Sequence, residues 1–232
     1  MFIQIYTLEA AAAAEDQRDR VWWRGLFLFN QICSYTIYVM KIERPKSKQP
    51  IPADAKKVFT GVIFDVYQWE QKLYDGTTTT FEKLKRPDTV VTFPVLDDGR
   101  IILAEQEQPG KVPYISAIGG RIDEGEDILV AAKRELLEET GYKAEHFTLW
   151  KADQPTSKID YAIYFFIAKG LKKISEPSLD GGEKIKLKFV TFNELIDLST
   201  DKKFMEKEIL LDLLEAKFVP AKKEELKKLF EV

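Results

Sequence analysis

The sequence predicts an α/β fold on three observations. Short runs of β-branched and aromatic residues recur from Lys57 to Val190, a single helix pattern interrupts them at about Glu126 to Thr140, and amphipathic helix patterns close the chain. With 232 residues, 45% of them hydrophobic, the chain has enough apolar surface for one α/β domain with appendages.

The elements follow in order. Val58 to Trp69 is rich in β-branched and aromatic residues, and Tyr74-Asp75-Gly76 supplies a turn before Thr77 to Phe81, which predicts a hairpin. A second hairpin is expected from Thr89 to Leu96, the turn Asp97-Asp98-Gly99 and Arg100 to Ala104; its continuously apolar first strand is the more buried one. Val112 to Ile118 reads as a short strand ending at Gly119-Gly120. The helix from Glu126 to Thr140 carries acidic residues in its first turn and Gly141 at its end. Phe147 to Trp150, Tyr161 to Ala168 and Ile185 to Val190 read as strands, and helices are expected around 193–198, 204–217 and 222–230. The boundaries expected are a leader at 1–39, a polar segment at 40–56, the strand hairpin at 57–86, the main domain at 87–200 and a helical extension at 201–232.

Composition excludes several mechanisms. The net charge is −3, so no general basic field suits a nucleic acid backbone, and no nucleic acid partner is expected. One cysteine, Cys33, and one histidine, His146, rule out an internal disulfide framework and a Cys/His zinc site. This usage fits a reducing cytoplasm. His146 sits in the polar stretch Lys143-Ala144-Glu145-His146, where a solvated surface role is the simpler reading.

Chemistry concentrates in Gly120-Arg121-Ile122-Asp123-Glu124-Gly125-Glu126 and, seven residues on, Arg134-Glu135-Leu136-Leu137-Glu138-Glu139-Thr140-Gly141-Tyr142. On a helix, Glu135, Glu138 and Glu139 lie three and four residues apart and share a face. Like charges so placed repel, whereas a hard divalent cation favours a cluster of oxygens, which points to Mg2+ or Mn2+. Glutamate-rich helix faces are also common as solvated charge with Lys133 and Arg134 as local partners. What separates the two readings is the whole pattern.

These residues resemble the Nudix box, G-x5-E-x7-R-E-U-x-E-E-x-G-U with U a bulky apolar residue, with Tyr142 aromatic where an aliphatic residue is usual. The resemblance spans about residues 57 to 198 and implies an α/β/α sandwich around a mixed sheet, with an N-terminal β-hairpin extension and C-terminal helices. It also implies metal binding by Glu135, Glu138, Glu139 and the Gly119 carbonyl, with Arg134 and Glu126 bracing loop and helix. The implied activity is metal-dependent hydrolysis of a diphosphate.

Within that family the layout is similar to the ADP-ribose and nucleotide-sugar pyrophosphatases, with Pro155 close to the position of a subgroup marker. The implied substrate is a nucleoside diphosphate joined to another group. Where that subgroup commonly carries R-Q-Y-R, this chain reads Glu105-Gln106-Glu107-Gln108, so either phosphate donors come from Lys111, Arg121 or a partner subunit, or the substrate differs. The subgroup's late acidic residue, a base or further ligand, corresponds to Glu183 or, second, Asp180. Tyr67 and Trp69 can stack on a purine or fill the core of the strand extension. A homodimer built through the hairpin is implied as well. Alternatives are a nucleoside triphosphate pyrophosphohydrolase and a non-catalytic nucleotide-sensing module; three stacked carboxylates argue against the latter.

The first forty residues differ in composition from the rest. Val21 to Met40 is apolar but broken by Arg24, Asn30 and Gln31, and an arginine costs up to about 2.5–3.5 kcal/mol in a membrane helix. No membrane association is therefore expected, a membrane anchor being the alternative. The polar Met40-Lys-Ile-Glu-Arg-Pro stretch reads as a native start. A chain beginning at Met40 should be soluble, folded and as active as the full chain. Its aggregation, or stable partition of the full chain into membranes, would show residues 1–39 to be a structural or anchoring element.

Overall fold

The computed structural model describes residues 42–179, 181–182 and 184–231. The expected leader, the Met40 start, Cys33, Asp180 and Glu183 lie outside them. The strands are β1 Lys56–Thr60, β2 Asp65–Lys72, β3 Thr78–Lys85, β4 Thr89–Pro94, β5 Ile101–Glu107, β6 Tyr114–Ser116, β7 Ile118–Arg121, then, after helix α1 (Ile128–Thr140), β8 Tyr142–Asp153, β9 Ile159–Asp160, β10 Ile163–Lys173 and β11 Lys184–Val190. Helices α2 (Phe192–Asp197), α3 (Leu210–Phe218) and α4 (Pro220–Phe230) follow, with short 3-10 turns before α3 and after α2.

The strands form three sheets, ordered β1-β2-β3-β9, β7-β4-β10-β8 and β11-β5-β6. The second is mixed, since β10 runs parallel to β4 and antiparallel to β8. Alternation sorts its side chains onto two faces. Val90, Tyr164 and Phe166 meet Ala131 and Ala132 of α1, while Phe93, Phe165 and Ile167 meet Leu195, Leu213, Leu226 and Phe230 of the C-terminal helices. The result is the expected α/β/α sandwich. Its larger core is closed by aromatic edges, with Phe93, Trp150 and Phe230 within 5.8–6.1 Å of one another.

Four local expectations need correction. The N-terminal hairpin is a three-strand meander, because Gly61 donates its N–H to the Phe64 carbonyl at 2.9 Å and breaks the run from Val58 to Trp69. The hairpin expected across Asp97-Asp98-Gly99 closes only at Val95 and Ile101, after which β4 and β5 diverge into different sheets. The strand expected over Val112 to Ile118 is likewise divided, β6 in one sheet and β7 in another, with Gly119 and Gly120 inside β7. Finally, α1 begins at Ile128 with no acidic residue in its first turn, because Asp127 holds extended backbone angles and caps the helix instead.

The polar segment ahead of β1 is packed against the body. Arg44 pairs with Asp88 at 2.8 Å and Asp160 at 3.2 Å, and the buried Lys83 ammonium donates to Ser47 Oγ at 2.9 Å and to the Gln49 carbonyl at 2.6 Å. Burial lowers the Lys83 pKa. His146 is exposed, as read from its polar surroundings. No helix of the described residues is long and apolar enough to cross a membrane.

Glu206, at the end of the loop preceding α3, is buried at 7% exposure, and one of its oxygens has no hydrogen-bond partner among the described residues. Burial first, opposed by the Ala117 N–H and reinforced by Glu208 against Lys207, pushes its carboxyl from 4.5 up to about 8. The unfolded chain releases this proton near 4.5 and the folded chain keeps it to about 8, so its contribution is full below 4.5 and lost as pH rises through 8. Replacing Glu206 with Gln should flatten the fall in melting temperature across that window and raise stability at its alkaline end. Identical slopes in the two proteins would contradict the assignment.

Candidate active site

Helix α1 is delimited by its own chemistry. The Asp127 carboxylate accepts from the Leu129 and Val130 N–H groups at 2.9 and 3.2 Å, a cap that contributes about 1 kcal/mol. Gly141, at φ 73°, ends the helix with its N–H on the Leu137 carbonyl. Ala131, Ala132 and Leu136 bury the helix against the sheets. Glu135 and Glu139 are thereby held on the side that looks toward β7, and Glu138 is tied to Glu135 through Arg134.

Arg134 organises the acidic cluster. Its Nε and Nη2 donate to the two oxygens of Glu126, each at 2.9 Å, while Nη1 donates to Glu135 at 2.7 Å and to Glu138 at 3.1 Å. Nη2 also reaches the Arg121 carbonyl at 3.1 Å, so one guanidinium ties β7, the loop and the helix together. The fork holds the Glu126 carboxyl below the usual carboxylate range. Reciprocally, Glu126 foremost, then Glu135 and Glu138, raise the Arg134 pKa.

Glycines bring β7 close to the helix. The Gly119 N–H donates to Glu139 Oε2 at 3.0 Å, and Glu139 is buried at 6% exposure. A Cβ on Gly120 would lie 2.5 Å from Glu135 Oε1, so this position leaves room for that carboxylate. Among the described residues no three acidic, histidine or cysteine side chains form a preassembled cage, since Arg134 and the Gly119 N–H engage them. The donor set itself, hard carboxylate oxygens beside a glycine-lined cradle, fits a hard divalent cation.

The remaining expected site residues lie on other elements. Arg121 is exposed, its side chain 3.3 Å from Asp123. Lys111 is exposed in the β5–β6 loop, donating to Gln108 at 2.7 Å and lying 5.2 Å from the Tyr114 ring centroid. Tyr67 is half-buried in a cleft with Lys46, Ser47 and Lys85, while Trp69 is buried against Phe81 with its indole N–H on Gln71. Glu105, Gln106 and Glu107 border a cleft of about 480 Å³ whose other walls include Tyr114, Lys184, Lys186, Lys188 and Lys203. There Lys188 pairs with Glu105 at 2.8 Å and Lys184 with Glu107 at 4.0 Å. Sequence reading did not anticipate those lysines, although their alternation along a strand, on the same face as the glutamates opposite, was a readable signal.

At Gly119 a Cβ would collide with the Val90 carbonyl oxygen. Two backbones meet there, so no side-chain rotation relieves the overlap. Gly119→Ala should therefore destabilise the fold by about 2 kcal/mol or more, read as a lowered denaturation midpoint. An unchanged midpoint would mean that β4 and β7 can separate at no cost.

Comparison with known proteins agrees with this geometry. The chain is 28% identical over 160 residues to the methanol dehydrogenase activator of Bacillus methanolicus, spanning 67% of this chain and 86% of that protein. It is 30% identical over 146 residues to the ADP-ribose pyrophosphatase of Bacillus subtilis strain 168, spanning 62% and 79%. Against the ADP compounds hydrolase NudE of Escherichia coli K12 it is 26% identical over 167 residues, spanning 68% and 87%. A crystal structure of an ADP compounds hydrolase shares the fold, with a TM-score of 0.62 at 24% identity over 81% of this chain and 100% of that one. The NUDIX domain profile matches residues 85–213, and with the box geometry above it establishes that the chain belongs to the NUDIX family and is a Nudix hydrolase.

Proposed function

We propose that the enzyme hydrolyses the diphosphate of a nucleoside diphosphate linked to another group, ADP-ribose or a nucleotide sugar, giving a nucleoside monophosphate and a phosphorylated moiety. The observation that carries this reading is the acidic face of α1, with Glu139 on the Gly119 N–H, Glu135 against Gly120, and Glu138 tied to Glu135 through Arg134. Relatives named for ADP-ribose and ADP compounds support the substrate class.

In this reading Glu135, Glu138, Glu139 and the Gly119 carbonyl hold Mg2+ or Mn2+. When bound, such a cation neutralises the diphosphate and lowers the pKa of an attacking water. Arg134 keeps the carboxylates of Glu135 and Glu138 aligned and, through Glu126, fixes the loop that precedes the helix. Glu183, or Asp180 in second place, accepts the proton of the attacking water. Lys111 and Arg121 supply cationic donors to the phosphates, and Tyr67 binds the base from its cleft, while Trp69, buried against Phe81, supports that strand from the core.

Glu138→Gln and Glu139→Gln keep shape while removing charge, so each should lower turnover at least about a hundredfold with the fold intact. The substrates to compare are ADP-ribose, ADP-glucose, GDP-mannose, NADH, diadenosine polyphosphates and 8-oxo-dGTP, following monophosphate release with Mg2+. Near wild-type turnover in both variants would remove the box from the catalytic centre. Preference for 8-oxo-dGTP would favour triphosphate chemistry instead.

The assembly proposed is a homodimer. Strand β1 is exposed along its whole length at the edge of its sheet; its Phe59 and the following Val62 are 59% and 98% exposed. Light scattering at micromolar concentration should report twice the chain mass; a monomer mass would reject the dimer. Trp69→Ala should weaken association and raise KM together if the pocket is shared, whereas loss of stability alone would mark Trp69 as purely internal core.

A further inference from the structure

The segment Lys203 to Met205 runs parallel to β6. The Ile115 N–H donates to the Lys203 carbonyl and the Met205 N–H to the Ile115 carbonyl, each at 2.9 Å, around a parallel bridge between Ile115 and Phe204. The next rung of a parallel ladder would take the Ala117 N–H to the Met205 carbonyl. That carbonyl accepts from the Lys207 N–H at 2.8 Å instead, and the Ala117 N–H donates to Glu206 Oε1 at 2.6 Å. A side chain thus completes the rung.

The place where it does so is consequential. Ala117 is the residue between β6 and β7, where the chain leaves one sheet for another, and it is 3% exposed. Two residues on, the Gly119 N–H donates to Glu139, and the following Gly120 stands against Glu135. Retaining a carboxyl here is expensive, since its second oxygen is buried without a hydrogen-bond partner among the described residues, a cost of about 1–3 kcal/mol. A leucine would fill the same volume without that cost but would leave the Ala117 N–H bare. Fold stability alone therefore gives a weak reason for glutamate at this position, and the strand it holds gives a stronger one.

We propose that Glu206 is a positioning residue for the Nudix site: its Oε1 fixes the strand from Ala117 to Gly120 and so sets where Gly119 and Gly120 stand against Glu139 and Glu135. This rests on the box being the catalytic centre. Glu206 touches no reacting atom and acts only through the backbone it clasps. It also makes the C-terminal part of the chain, which carries none of the box, a determinant of the box's geometry.

The test compares Glu206→Leu with Glu206→Gln in the full chain. Gln keeps an acceptor for the Ala117 N–H, while Leu keeps volume and removes the acceptor. The Leu variant should show faster amide exchange confined to Ala117–Gly120 and a kcat for ADP-ribose lowered about tenfold or more, with KM within about threefold, as small displacements of reacting groups do. The Gln variant should restore both. Unchanged exchange at Ala117–Gly120 in the Leu variant, unchanged kcat, or a Gln variant as impaired as Leu would each overturn the proposal. Should Leu fail to fold, Glu206→Asp, one methylene short of the N–H, provides the same comparison. If the wild-type protein hydrolyses none of the nucleotides above, the substrate reading fails on its own, and the exchange comparison still decides whether Glu206 holds the strand.

Discussion

The site depends on one guanidinium. Glu126, Glu135 and Glu138 would repel one another at the start and along one face of α1, and their repulsion would grow as the helix buries Ala131, Ala132 and Leu136 against the sheets. Arg134 meets all three, two oxygens of Glu126 in a fork and one each of Glu135 and Glu138. A lysine could neutralise the same charge. It could not span three carboxylates and the Arg121 carbonyl at once, because a single ammonium lacks the planar spread of donors. The helix can therefore carry a dense acidic face without unravelling, and the loop before it is tied to the same point.

How much of this was legible in the sequence varied with the range of the interaction. The box could be read because its residues lie within one helix and the loop next to it. Helical spacing puts Glu135, Glu138 and Glu139 on one face, and the bracing of loop and helix by Arg134 and Glu126 was what the family resemblance implied. The Gly141 cap was legible for the same reason. Strand pairing was not. Asp97-Asp98-Gly99 looks like a hairpin turn, and the local chain obeys that reading as far as the Val95 and Ile101 bridge. What pulls β4 away is its parallel partner β10, some seventy residues later, and no local signal encodes that partner. The hydrogen bond that ends β1 at Gly61 was hidden by the β-branched run around it.

The polar contacts that sequence reading missed share a second cause. Arg44 with Asp88 and Asp160, Lys83 with Ser47 and Gln49, and Glu206 with Ala117 are each charged side chains serving distant backbone or partners. In a sequence such residues look like ordinary surface charge, and the usual expectation that lysine and glutamate stay in water is correct for most of the chain. Only the fold shows that Lys83 is buried and carries its donors to the polar segment at 40–56.

The glutamates of β5 illustrate how chemistry can be displaced rather than lost. Glu105 and Glu107 place carboxylates rather than cations on the part of β5 that borders the cleft. Across the antiparallel register, Lys184 and Lys186 of β11 stand directly opposite Glu107 and Glu105, and Lys188 reaches back to Glu105. Residues opposite one another in such a pair share a face, so lysines and glutamates line one cleft together. Lys188 and Lys184 are committed to the glutamates. Lys186 and Lys203 also lie close enough to contribute, after Lys188, to holding the Glu105 carboxyl below its ordinary range. The positive charge absent from β5 is thus present on the neighbouring strand and loop, at the end of longer and more flexible side chains, which offer point charges to an anion where arginine would offer a planar fork.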